Sequence, residues 1–241
     1  NKVYVLTLDN HITALDATSG KKIWTYEGFT ETTGLLGSSS PAADEELVIA
    51  AMSSGEITAL RHENGSVAWS DTISPSIQMG GSSALPDIAG LPVLDKGMVI
   101  AASYGGKIAA IDVQSGARVW EREIGSAKTP WVAGNMIFYI TANAELVALG
   151  RDNGTLAWVK PLAQYIADDK NTHNALLWNG PILAGNRLIL AAADDTILEI
   201  SPRDGALIRR LDIGSHVAVP PLVASGTLYL LGTNGTLSAW Q

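Results

Sequence analysis

Side chains able to do chemistry are few in this chain, and they are scattered. The four histidines are His11, His62, His173 and His216, and none sits in the two-histidine helical spacing that would put a metal-ligating pair on one face. Asp168-Asp169 and Asp194-Asp195 are adjacent pairs rather than carboxylates facing each other across a substrate, and solvated turns account for both. Gly80-Gly81-Ser82 neither follows a strand nor opens a helix, so it reads as a loop and not as a phosphate cradle. No serine lies in a G-x-S-x-G elbow, and with no cysteine there is no thiol nucleophile, disulfide framework or thiolate metal site. Asn64-Gly65-Ser66, Asn153-Gly154-Thr155 and Asn234-Gly235-Thr236 match a glycosylation sequon, but they fall at turns where Asn-Gly is selected by backbone geometry. From these residues we expect no catalytic group, no cofactor and no metal.

The elements that would have to position any site are easier to read. Gly97 to Trp120 (GMVIAASYGGKIAAIDVQSGARVW) is strand, tight turn, strand, tight turn, strand. Aligned on the second turn, Gly20, Gly65, Gly116, Gly154 and Gly205 form one column, with successive separations of 45, 51, 38 and 51 residues. Four residues further on come Trp24, Trp69, Trp120, Trp158 and then Arg209; six residues before the glycines lie Ala14, Ala59, Ala110, Ala148 and then Glu199. A partial sixth copy begins at Gly226. The tryptophan column reads as packing between neighbouring sheets, the alternative being aromatic stacking on a ligand.

Repeats of this length, each dividing into four strands at its turn signals, predict an all-β fold: a β-propeller of four-stranded antiparallel blades. For the second copy the strands are expected near Ser38–Ala43, Glu46–Met52, Glu56–Arg61 and Ser66–Ser70. The first copy holds only the last three strands and the sixth only the first three, which makes about five and a half blades, and residues 1–241 are expected to be a single propeller domain. Asn1 enters directly on a strand pattern, so the chain reads as N-terminally truncated. A formal charge of −8 argues against a nucleic-acid partner, and no apolar run reaches the ~18 residues of a membrane span. Three long connections, 27–40, 71–92 and 160–181, are where binding is expected, because variable connections carry function on a propeller scaffold. Leu35-Leu36 within the first reads as an apolar tip or as the lead-in to an inner strand, with simple core packing as the equal alternative.

The A-h-D-x-x-x-G-x-x-x-W pattern, seen at Ala14 to Trp24 and Ala110 to Trp120, resembles the repeat of the pyrroloquinoline-quinone-like propellers. Quinoprotein dehydrogenases of that group carry an adjacent cysteine pair and an acidic calcium site, and this chain has no cysteine. The segments LLGSSSPA (Leu35 to Ala42), LPDIAGLPV (Leu85 to Val93), Ile124 to Leu149 and the ending GTLYLLGTNGTLSAWQ resemble, in order, the BamB family of the outer-membrane β-barrel assembly machinery. That resemblance implies an eight-bladed ring and a non-enzymatic scaffold lipoprotein at the periplasmic face of the outer membrane. It further implies docking to the POTRA region of BamA alongside other assembly subunits, nascent outer-membrane proteins as further partners, and an N-terminal lipid anchor outside this chain. Carried over by position, Leu35, Leu36 and Asp87 would form the partner-binding surface. Leu36 stands where the family has arginine and Ala89 where it has a second acid, so the polar contacts are expected to differ. A quinone-dependent dehydrogenase and a generic ligand-binding propeller are the alternatives.

Overall fold

Runs such as Leu47–Ala51 (LVIAA) and Met98–Ala102 (MVIAA) are apolar at every position, a pattern that suits a strand covered on both faces. Each is buried along its whole length. The outer strands read differently: in Val67–Thr72 (VAWSDT) only the tryptophan is buried, because that strand closes the sheet toward solvent. The computed structural model describes every residue except 30–38, 74–87, 89, 105, 127, 166–177, 193–194, 215, 218 and 241.

The described residues form strands β1 to β22 in six sheets, within each of which the strands pair antiparallel in chain order. The chain divides into two compact units, Asn1–Pro130 and Trp131–Gln241. In the first, β1 (Lys2–Leu6), β2 (His11–Asp16) and β3 (Lys22–Glu27) make a three-stranded sheet. Two four-stranded sheets follow: β4 (Ala42–Ala43), β5 (Leu47–Ala51), β6 (Glu56–Arg61) and β7 (Val67–Thr72), then β8 (Val93–Asp95), β9 (Met98–Ala102), β10 (Ile108–Asp112) and β11 (Arg118–Arg122). The second unit opens with β12 (Trp131–Ala133), β13 (Met136–Ile140), β14 (Glu145–Gly150) and β15 (Leu156–Pro161). It continues with β16 (Trp178–Ala184), β17 (Arg187–Ala192), β18 (Thr196–Ile200) and β19 (Leu207–Asp212), and ends on the three-stranded β20 (Leu222–Ala224), β21 (Thr227–Leu231) and β22 (Leu237–Trp240). This is the all-β propeller-blade architecture expected from the repeats, with three strands in the first and sixth sheets. The inner strand of the second sheet is shorter than expected, Ala42–Ala43, and Pro41 just before it has no amide hydrogen to offer a ladder.

The repeat columns meet in space. Trp24, Trp69, Trp120 and Trp158 pair across the sheet with Ala14, Ala59, Ala110 and Ala148, and the register slips by a bulge directly after each alanine. The turn glycines Gly20, Gly65, Gly116, Gly154 and Gly205 all have positive φ, between 63° and 75°. Within the first unit the indole of Trp24 covers Gly65 and that of Trp69 covers Gly116; a methyl on either glycine would come within 2.6 Å or 2.7 Å of the ring. Each ring also donates Nε1–H to a carbonyl in the turn it covers, Trp24 to His62 at 3.2 Å and Trp69 to Val113 at 2.8 Å. In the second unit Trp158 does the same at Gly205, donating to Pro202 at 3.1 Å.

Outside this packing, Arg118 on β11 holds the carboxylate of Asp71 on β7 through two bonds of 2.7 Å and 2.9 Å and also pairs with Glu121. Burial pushes the Asp71 carboxyl up, but the Arg118 hydrogen bond and charge and the Thr72 amide outweigh it, so its pKa is lowered.

Two outcomes test this account. Trp69→Ala should lose about 3–5 kcal/mol of stability, read by urea unfolding, because it removes a buried ring together with its hydrogen bond. Arg118→Met should destabilise at pH 7. Because the folded Asp71 pKa is depressed, its contribution is present above the ordinary carboxylate value of about 4 and is lost as pH falls through the folded value. The deficit of the variant should therefore shrink in acid melts.

Candidate functional site

Leu35, Leu36, Asp87 and Ala89, singled out in the sequence, lie outside the described residues, and what the structure gives is the frame on either side of them. The first connection leaves β3 through Gly28 and Phe29. Asn10, at the tight turn between β1 and β2, has a left-handed φ of 61° and is only 2% exposed. Its carbonyl accepts from Gly28 N at 3.0 Å, its Nδ2 donates to Phe29 O at 2.5 Å, and its Oδ1 accepts from Ser53 N and Oγ, each at 3.2 Å. One asparagine thus fixes where the connection departs. Phe29 then stands 76% exposed at its mouth.

The far end of that connection is tied to the second one. Ser39, 3% exposed, donates from Oγ to the carbonyl of Gly90 at 3.0 Å, across 51 positions of sequence. Ile88, 1% exposed, is held in the core between the second and third sheets beside Ile73, Val99 and Ile111. Gly90 lies against the backbone of Lys128, where an added methyl would meet the carbonyl carbon and oxygen at 2.7 Å. Leu91 N donates to Thr129 Oγ1 at 2.9 Å, and the Leu91 side chain remains exposed. Burial lowers the pKa of the Lys128 ammonium. The two connections that carry Leu35, Leu36 and Asp87 therefore end on one patch of the first unit, edged by exposed apolar Leu91 and by the backbone of Lys128. The sequence marks Asn10 as a first-turn residue that tolerates left-handed backbone, as its φ bears out, but not the ties it makes to the first connection. Ser39 and Gly90 lie inside the LLGSSSPA and LPDIAGLPV segments without being singled out there, and Lys128 carried no signal.

The histidines make local contacts. His11 Nδ1 lies 3.0 Å from Asp9, His62 Nδ1 2.7 Å from the Tyr4 hydroxyl, and His216 Nδ1 2.8 Å from Asp195; His173 lies outside the described residues. Among the described residues no three metal-ligating side chains converge. The third connection starts with a short 3₁₀ turn, Leu162–Tyr165, whose Tyr165 hydroxyl donates to Gly205 O at 2.5 Å; its remainder, 166–177, is outside the described residues. Among the described residues no helix is long and apolar enough to cross a membrane.

With that geometry in hand, comparison with known proteins adds a family. The model of the outer membrane protein assembly factor BamB family matches residues 1–160. The chain belongs to this family. A BamB of Yersinia pestis is 28% identical over 239 residues, 99% of this chain and 58% of its own length, so the chain spans little more than half of that relative. The crystal structure of BamB from Moraxella catarrhalis superposes with a TM-score of 0.83 at 24% identity, over 100% of this chain and 69% of that one, which establishes the propeller fold. A quinohemoprotein alcohol dehydrogenase from Pseudomonas putida shares the fold more distantly, with a TM-score of 0.67 at 17% identity over 91% of this chain and 41% of that one.

Ser39→Ala should cost about 1 kcal/mol in denaturant unfolding by leaving the Gly90 carbonyl without its buried donor. Gly90→Ala should destabilise more, since the added methyl meets backbone. The double variant should cost less than the two single costs added, because both changes act on the same junction.

Proposed function

We propose that this chain is part of a non-catalytic scaffold that serves outer-membrane protein assembly and docks the POTRA region of BamA through Leu35, Leu36 and Asp87. The observation that carries the reading is the Ser39 to Gly90 hydrogen bond, which ties the connection holding both leucines to the one holding the aspartate. Membership in the BamB family supports the assembly role. Residues 1–241 are taken as one propeller domain, with other assembly subunits and nascent outer-membrane proteins as further partners. The proposed location is the periplasmic face of the outer membrane, with a lipid anchor supplied from outside this chain. No cofactor or metal takes part.

Interfaces draw most of their energy from a few well-packed anchors, and here the leucines supply apolar surface while Asp87 offers a charge to a basic side chain. Leu35→Asp or Leu36→Asp in the full-length protein should weaken capture of the BamA POTRA region at least tenfold, since a carboxylate would be desolvated against an apolar pocket. Asp87→Ala should weaken it less. Leu207→Asp, on the exposed outer strand β19 of the second unit, should leave capture unchanged. Wild-type capture by both leucine variants, with circular dichroism intact, would reject the assigned surface.

The fold shared with the quinohemoprotein dehydrogenase gives the rival reading a footing. Dye reduction with alcohols or sugars, after adding quinone and calcium, should stay at background. Turnover above it would replace the scaffold reading with an enzymatic one.

A further inference from the structure

The packing row that runs across each sheet changes character once. In the fourth sheet the row is Phe138, Ala148 and Trp158, in cross-strand register, and the two rings touch with centroids 6.0 Å apart. In the first sheet the row is Tyr4, Ala14 and Trp24, again with ring contact, at 5.8 Å. The same register in the fifth sheet gives Ile189, Glu199 and Arg209. The small residue has become a carboxylate and the indole a guanidinium, so no aromatic side chain of this sheet reaches toward the sixth. The space it would fill is a cleft of about 380 Å³, walled by Ile189, Ile197, Leu211, Leu228 and Trp240 among others.

The polar groups at this cleft have a definite balance. Glu199 is 4% exposed, and its two oxygens accept three hydrogen bonds: Arg209 Nη2 at 2.6 Å, Arg209 Nε at 3.1 Å and Arg187 Nη1 at 3.1 Å. Its acceptor capacity is largely taken up by the arginines. A guanidinium has five N–H donors, so most donors of both arginines stay available, and Arg187 Nε is buried with no partner among the described residues. Two cations against one anion leave one positive charge beside an apolar wall. Both arginine side chains are half-exposed, 41% and 52%, and so can reach a ligand entering from solvent.

We propose that the cleft between the fifth and sixth sheets binds an amphipathic monoanion, an aromatic body of one or two rings that carries a single carboxylate. The ring occupies the volume that Phe138 and Trp158 fill one sheet earlier, against Ile197, Leu228 and Trp240. The carboxylate takes the free donors of Arg187 and Arg209 and balances the surplus charge. A cationic ligand finds Glu199 already occupied, and a neutral one leaves the second arginine charge without a counter-ion. The size lies within the range of small-molecule pockets, which begins at about 300 Å³. This site lies within the second unit and does not depend on the assembly role.

The test is isothermal titration of the full-length protein with indole-3-propionate and with its neutral analogue indole-3-propanol. The acid should bind saturably and at least tenfold more tightly than the alcohol at low salt, with the gap narrowing as salt screens the arginines. Arg187→Met should remove that preference and leave alcohol binding in place, since Glu199 keeps both bonds from Arg209. The paired change Glu199→Ala with Arg209→Trp, which rebuilds the row of the other sheets, should fill the cleft, abolish binding of both compounds and raise the melting temperature. Absence of saturable binding by the acid, equal affinity for acid and alcohol, or acid binding unchanged in both folded variants would overturn the proposal.

Discussion

An indole laid over a glycine α-carbon is the contact on which successive sheets rest. At Gly65 and Gly116 the residue is required twice over: φ is 75° and 72°, in the region that side chains avoid, and the space where a β-carbon would go is filled by Trp24 or Trp69. The alanine opposite each tryptophan keeps the row shallow enough for the rings to lie down, and the bulge after it turns the outer strand. Each such ring buries on the order of 150–250 Å², and its Nε1–H is satisfied by the turn it covers, so the apolar gain carries no unpaired donor.

Where that contact is withdrawn, the physics of the interface changes. Glu199 is a carboxylate taken out of water, a state tolerated only when its hydrogen bonds are met, and Arg187 and Arg209 meet them. The same residue types on the surface do something different. Arg118 joins the outer strands of the second and third sheets where solvent screens the pair, and there the ion pair supplements packing instead of replacing it. The two clusters share their chemistry and differ in how deeply the carboxylate side chain is buried, 6% exposed for Glu199 and 22% for Asp71.

The connections follow a further rule. A loop end entering the sheet region brings backbone groups that must find partners, and here single buried polar side chains supply them. Asn10 takes the start of the first connection, and Ser39 joins its end to Gly90. Such ties let connections vary in sequence between their ends while their points of entry stay put, which is how a repeated scaffold can present a particular surface.

Turn glycines, the tryptophan and alanine columns, the three-strand first and sixth sheets and the all-β class were legible in the sequence because each depends on local geometry. Positive φ selects glycine or asparagine, and burial on both faces makes an inner strand apolar throughout, so spacing alone reveals them. The inner strand of the second sheet was legible only in part, since pairing begins after Pro41, later than the turn signals place it. Leu35, Leu36 and Asp87 came from resemblance, for nothing in their own composition marks a docking surface. The bond between Ser39 and Gly90, the fit of Gly90 against Lys128 and the sharing of Glu199 by two arginines belong to tertiary structure. Each is a contact between residues far apart in the chain, and a donor's partner is chosen by distance in space, which local sequence does not encode.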